Sequence, residues 1–131
     1  MIVDNINKLD TIKEIFETNS VLKFTYEIQK GNSIAFLDVQ ISNQNSQITT
    51  KVYTKPTDSG ECINYLGLAP QKYKTGVIKT MLHRAYQISS DWKTFHHEVQ
   101  RLQQLFTNNN FPMLLVEQEI AAFLNLSLIH I

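Results

Sequence analysis

Residues 22–53, LKFTYEIQKGNSIAFLDVQISNQNSQITTKVY, set the architecture of the first half of this 131-residue chain. Leu22, Phe24, Tyr26 and Ile28 alternate with Lys23, Thr25 and Glu27, the period of a half-buried strand. Residues 29–33 contain Gly31 and Asn32 and read as a hairpin loop. A second strand is expected at 34–41, with Leu37, Val39 and Ile41 on one face and Ile34, Phe36 and Asp38 on the other. The polar, Asn-rich stretch 42–46 is a turn, and residues 48–53 form a third strand with Ile48, Thr50 and Val52 on one side. Three successive strands with short connections predict an antiparallel meander.

Helical periodicity governs the rest. Leu9, Ile12, Ile15 and Phe16 define a short amphipathic helix that Asn19-Ser20 ends. After Lys55-Pro56 comes a turn-rich link with Asp58-Ser59-Gly60. Tyr73, Val77, Met81, Leu82, Ala85 and Ile88 then make an apolar stripe, with Pro70 suited to a first turn. Ser90 or Asp91 can cap a second helix carrying Trp92, Phe95, Val99, Leu102, Leu105 and Phe106 inward. Asn108-Asn109-Asn110 stops it, and Pro112 opens a third helix with Leu115, Val116, Ile120, Phe123 and Leu124 inward. The expected fold is α+β: a short N-terminal helix, a three-stranded antiparallel β meander, then a three-helix bundle.

The formal net charge of zero hides an asymmetry. Residues 1–50 carry −2, residues 51–110 carry +4 and residues 111–131 carry −2. A basic middle flanked by acidic ends offers a polyanion-binding face, unless the charges are simply solvated helix surface. Cys62 is the lone cysteine, which leaves neither a disulfide framework nor a thiolate zinc site. Asp4, Lys8 and Asp10 interrupt the N-terminus, so no signal peptide is expected, and Glu117 and Glu119 mark residues 111–131 as core helix, not membrane span.

Little in the chain suggests catalysis. Two-metal polymerase chemistry needs two or more carboxylates around the growing strand end. Val3-Asp4-Asn5 has a single acid, and Asp38 stands alone, better placed to orient a hairpin or meet a basic side chain. His83, His96, His97 and His130 lack the i, i+4 pairing of a helical metal site. No nucleophile elbow or phosphate-cradling glycine loop is present, and no cofactor is expected. Asn125-Leu126-Ser127 fits a glycosylation pattern that is read as chance. Lys72, Lys79 and His83, spaced +7 and +4, line one helix face, with Lys74 and Arg84 beside it, Lys55 leading in, and Lys93 and Arg101 on the next helix. Such a stripe, with Tyr73 and Tyr86 nearby, grips phosphates without reading sequence; a solvated face is the alternative.

The pieces LKFTYE (22–27), IAFLDVQI (34–41), TTKVYTKPTDSGECINYL (49–66), YKTGVIKTMLHRAYQIS (73–89) and NNFP (109–112) occur in an order and spacing that resemble Penelope-like retroelement reverse transcriptases, just after their polymerase active site. The resemblance runs from about residue 22 to 120. It implies a palm-edge-like region at 1–56, where Phe36, Leu37 and Asp38 form the hairpin gripping the primer terminus. It implies a thumb-like region at 57–131, in part labelled helix-turn-helix, where Lys55, Lys72, Lys74, Lys79 and Arg84 face the duplex. Thr54 stands where the family usually has Arg, which removes one expected phosphate contact. The partners implied are a template–primer duplex (RNA–DNA or DNA) and the family's palm and fingers, in an intracellular setting that includes the nucleus, with no membrane. The catalytic aspartates are not among these residues, so binding without polymerase activity is expected. A protein-interaction module and a non-functional retroelement remnant are the alternatives. Residues 126–131, LSLIHI, resemble a translated library-adapter tail; an ordinary helix end is the other reading.

Overall fold

The computed structural model describes residues 5–129, with side chains described as far as Leu126. Val3, Asp4, His130 and most of the adapter-like tail fall outside the described side chains. A 3-10 turn at Ile6–Lys8 leads into α1 (Leu9–Thr18). Strands β1 (Ser33–Phe36), β2 (Val39–Gln44) and β3 (Gln47–Val52) follow, then α2 (Gln71–Ile88), α3 (Trp92–Asn108) and α4 (Met113–Ile129). The α+β order expected from the sequence is therefore present, with an antiparallel sheet in the order β1-β2-β3.

The strand assignment differs in one respect. Residues 22–28 form no strand and join no sheet, and the stretch expected as one strand at 34–41 folds back on itself. Leu37 takes a left-handed φ of +56°, so Phe36 pairs directly with Val39 across a two-residue turn. A local turn of this kind closes at small entropic cost. The turn also changes the faces. Ile34 and Phe36 share one side of the sheet with Val39, Ile41, Thr50 and Val52, whereas Gln40, Ser42, Thr49 and Lys51 share the other. Residues 22–28 lie against α1 instead. Phe24 stacks on Phe16 at 5.4 Å, the Phe24 N–H donates to Glu17, and the Tyr26 hydroxyl donates to Asp10 at 2.9 Å.

The core belongs to the helices. Ile78, Leu82 and Ala85 of α2, Phe95, Val99, Leu102, Leu105 and Phe106 of α3, Phe111, and Val116 of α4 form one buried cluster. The α2 stripe is rotated from its expected position: Ile78 is fully buried, while Tyr73 is 63% exposed. Trp92, expected inward, is also more than half exposed, at the edge of a ring cluster with Tyr86 and Phe95. Polar bonds fix the sheet to this bundle. The Thr50 hydroxyl donates to the Ile88 carbonyl at 2.6 Å, and Thr50 and Ser90 exchange bonds in both directions. Val52 is the sheet residue buried beneath them.

The β2–β3 turn holds both Asn45 (φ +51°) and Ser46 (φ +66°) in the left-handed region, the signature of a type I′ hairpin. Asparagine tolerates this conformation; serine is strained by it. Ser46→Gly, which creates the dipeptide that such turns favour, is expected to raise stability by about 0.5–1 kcal/mol. A thermal melt reads this as a midpoint rise of roughly 2–5 °C.

Candidate nucleic-acid interface

The turn between α3 and α4 is built from its own backbone. Asn110 adopts φ +66°, the Phe111 N–H donates to the Phe106 carbonyl, and the Asn110 N–H donates to that of Thr107. This is a Schellman stop, completed by the Phe106–Phe111 ring contact at 5.0 Å. Next to it, the buried Asn109 amide donates to the Gly60 and Leu105 carbonyls and accepts from the Cys62 N–H. The Asn109 carbonyl accepts from the Tyr65 N–H. The link after the sheet is thereby laid across the helical turn. Burial pushes the Cys62 thiol up.

The α2–α3 connection is equally short. Asp91 caps α3, accepting from the Thr94 N–H at 2.8 Å, while Thr94 answers across a capping box. Those bonds to Thr94 hold the Asp91 carboxyl below the usual carboxylate range. Three helices with two tight turns thus occupy the second half of the chain.

On this frame the basic residues have separate fates. Lys72 and Lys79 are exposed on α2 in line with His83, as their spacing predicts. Lys79 lies 3.7 Å from Glu119 of α4, yet its side chain stays 67% exposed, and such a pair contributes only about 0–1 kcal/mol. Lys55 is exposed on the link after β3. Arg84 reaches across to Asp38 at 3.0 Å and ties α2 to the β1–β2 hairpin, the basic partner expected for that carboxylate. Phe36 and Leu37 on the same hairpin are exposed. Arg101 is held by the buried Glu98 carboxylate through bonds of 2.7–3.1 Å, which raise its pKa further. Its Nε and Nη2 are thereby committed to Glu98.

Lys74 does not face outward as the resemblance implied. It is 9% exposed, its ammonium donates to the Gly67 carbonyl at 2.9 Å, and it sits 4.8 Å from the centre of the Tyr65 ring. Position 74 lies four residues before buried Ile78, on the inner face of α2. The clue in the sequence is that i, i+4 relation, masked by the charge of the residue.

A polar groove of about 570 Å³, not evident in the sequence, lies between the sheet and the start of α3. Ser42, Thr49 and Lys51 line one wall, and Lys93, His96, His97 and Gln100 the other. Its signal, two lysines and two histidines, is scattered over strand and helix and has no common spacing. An apolar groove on α2 gathers Ile63, Ala69, Tyr73, Val77 and Met81. Among the described residues no group of three or more His, Cys, Asp or Glu could hold a metal ion, and no helix is long and apolar enough to cross a membrane.

Residues 62–121 match the family model of the animal helix-turn-helix domain, so the second half of the chain contains a helix-turn-helix region. No curated protein and no solved structure matches the chain.

The two kinds of lysine are separable by experiment. Lys74→Ala removes a buried hydrogen bond and a cation–π contact, and it is expected to cost about 1–3 kcal/mol in a denaturant titration. Lys72→Ala, on the exposed face, is expected to change stability by less than about 0.5 kcal/mol.

Proposed function

We propose that this chain binds duplex nucleic acid through its helix-turn-helix region, as the thumb-like part of a retroelement reverse transcriptase of the Penelope-like kind. The observation that carries this reading is the exposed Lys72–Lys79–His83 stripe along α2, inside the region that matches the helix-turn-helix family. Lysines on one exposed helix face present their ammonium groups to a phosphate backbone, which gives affinity and register without sequence readout. The Phe36-Leu37-Asp38 hairpin, braced on α2 by the Asp38–Arg84 pair, is the counterpart of the primer-gripping edge. In this reading the chain positions a duplex, RNA–DNA or DNA, and performs no polymerase chemistry itself. The setting is intracellular, the nucleus included.

A second reading, a protein-docking module, is favoured by the apolar groove of Ile63, Ala69, Val77 and Met81, with Leu66 and Leu68 exposed nearby.

Fluorescence anisotropy of a labelled RNA–DNA hybrid at a series of salt concentrations tests the first reading. Affinity is expected to fall linearly in a log–log plot, and Lys72→Ala/Lys79→Ala is expected to flatten the slope by about 0.9 for each phosphate that is no longer neutralised. A slope unchanged in the double variant would remove the α2 stripe from the interface. A folded protein that binds no duplex at low salt would favour protein docking.

A further inference from the structure

We propose that the groove between β3 and the first half of α3 seats the sugar–phosphate backbone of a nucleic-acid strand, so that the sheet is part of the interface. This inference rests on the duplex-binding reading above and adds a contact surface to it.

Three observations support it. The first is where cations and anions lie on the three helices. The described side chains of α4 include Glu117 and Glu119 and no lysine or arginine. The described part of α4 therefore offers a polyanion no lysine or arginine, although that helix follows the second turn of the bundle. The solvent face of α3 is the opposite: Lys93, His96, His97, Gln100 and Gln104 are exposed, while its acid, Glu98, is buried and neutralised by Arg101. Donors without competing carboxylates are what a phosphodiester needs.

The second observation is that the sheet completes the site. The hairpin turn at Leu37-Asp38 sets the register that places Ser42, Thr49 and Lys51 on one face of the sheet. The Thr50–Ser90 bonds, made by the backbone of β3, then hold the edge of that strand beside the start of α3. Lys51 on the strand and Lys93 on the helix thus line a single groove, with hydroxyls of Ser42 and Thr49 and the two imidazoles between the same walls. Both lysines and both histidines are exposed, so they reach a ligand without unfolding.

The third is the state of the single acid there. Asp91 also lines the groove, but its carboxylate is turned to the α3 N-terminus and accepts from the Thr94 N–H and hydroxyl. Its charge is partly offset by the helix dipole. The groove holds about 570 Å³, far more than a lone oxyanion fills, which suits a length of chain better than a free phosphate.

The test uses the full chain, a labelled hybrid duplex and a salt series, with wild type, Lys51→Ala/Lys93→Ala and the control Lys23→Ala/Lys30→Ala, which removes equal charge outside the groove. The groove variant is expected to show a salt slope shallower by about 1.8, two phosphates at about 0.9 each, while the control changes by less than half as much. Thermal melts verify that both variants remain folded, as their exposed positions lead one to expect. If wild type binds with a steep slope and the groove variant matches it or the control, the groove proposal is wrong while duplex binding stands. If folded wild type binds no duplex at all, both readings fall.

Discussion

The Asn109 side chain is the constraint on which the arrangement of this chain depends. It is buried at the turn between α3 and α4, and its amide meets three backbone groups, two of them in the link that follows the sheet. Leaving the buried amide unpaired would cost about 1–3 kcal/mol, which favours a path of the link that meets it. That path carries Tyr65 to the Phe111 ring at 5.3 Å and brings Gly67 to the start of α2, where Lys74 binds its carbonyl. The Schellman stop beside Asn109 fixes where α4 departs. A single polar residue thereby fixes the path of the link across the helical turn and shapes the face that α2 presents.

The sheet contributes position, not mass. It has one apolar side and one polar side, and the bundle takes only part of the apolar one: Val52 is buried, whereas Phe36 and Ile48 remain exposed. What holds it is the exchange between Thr50 and the end of α2, together with the Arg84–Asp38 pair. Polar anchors of this kind set geometry more than stability, because exposed ion pairs contribute little. Their effect here is to place Lys51 beside α3 and the hairpin beside α2.

Much of this was legible in the sequence. The helices announced themselves through period and punctuation: Pro70, Asp91, the Asn108–Asn110 run and Pro112 all mark ends or beginnings close to where the structure has them. The β1–β2 turn was not legible, because Leu37-Asp38 carries none of the glycine or asparagine that ordinarily signals a tight turn, and Leu37 bears a left-handed φ without them. Residues 22–28 alternate as a strand should, yet alternation specifies a face and no partner; Phe24 found α1 instead. The fate of each lysine was the least legible of all. Spacing puts residues on a face, but whether a cation points to solvent, to a carbonyl or to a carboxylate depends on groups distant in sequence, such as Gly67 for Lys74 and Glu119 for Lys79.

In the proposed complex nucleic acid meets α2 and α3 while α4 stays clear of it. Amide chemical-shift mapping on the isotope-labelled chain during titration with a hybrid duplex addresses it most directly. The largest shifts are expected at Lys72, Lys79, His83 and along residues 93–100, with residues 113–126 little changed. Shifts concentrated on α4, with α2 and α3 undisturbed, would contradict it.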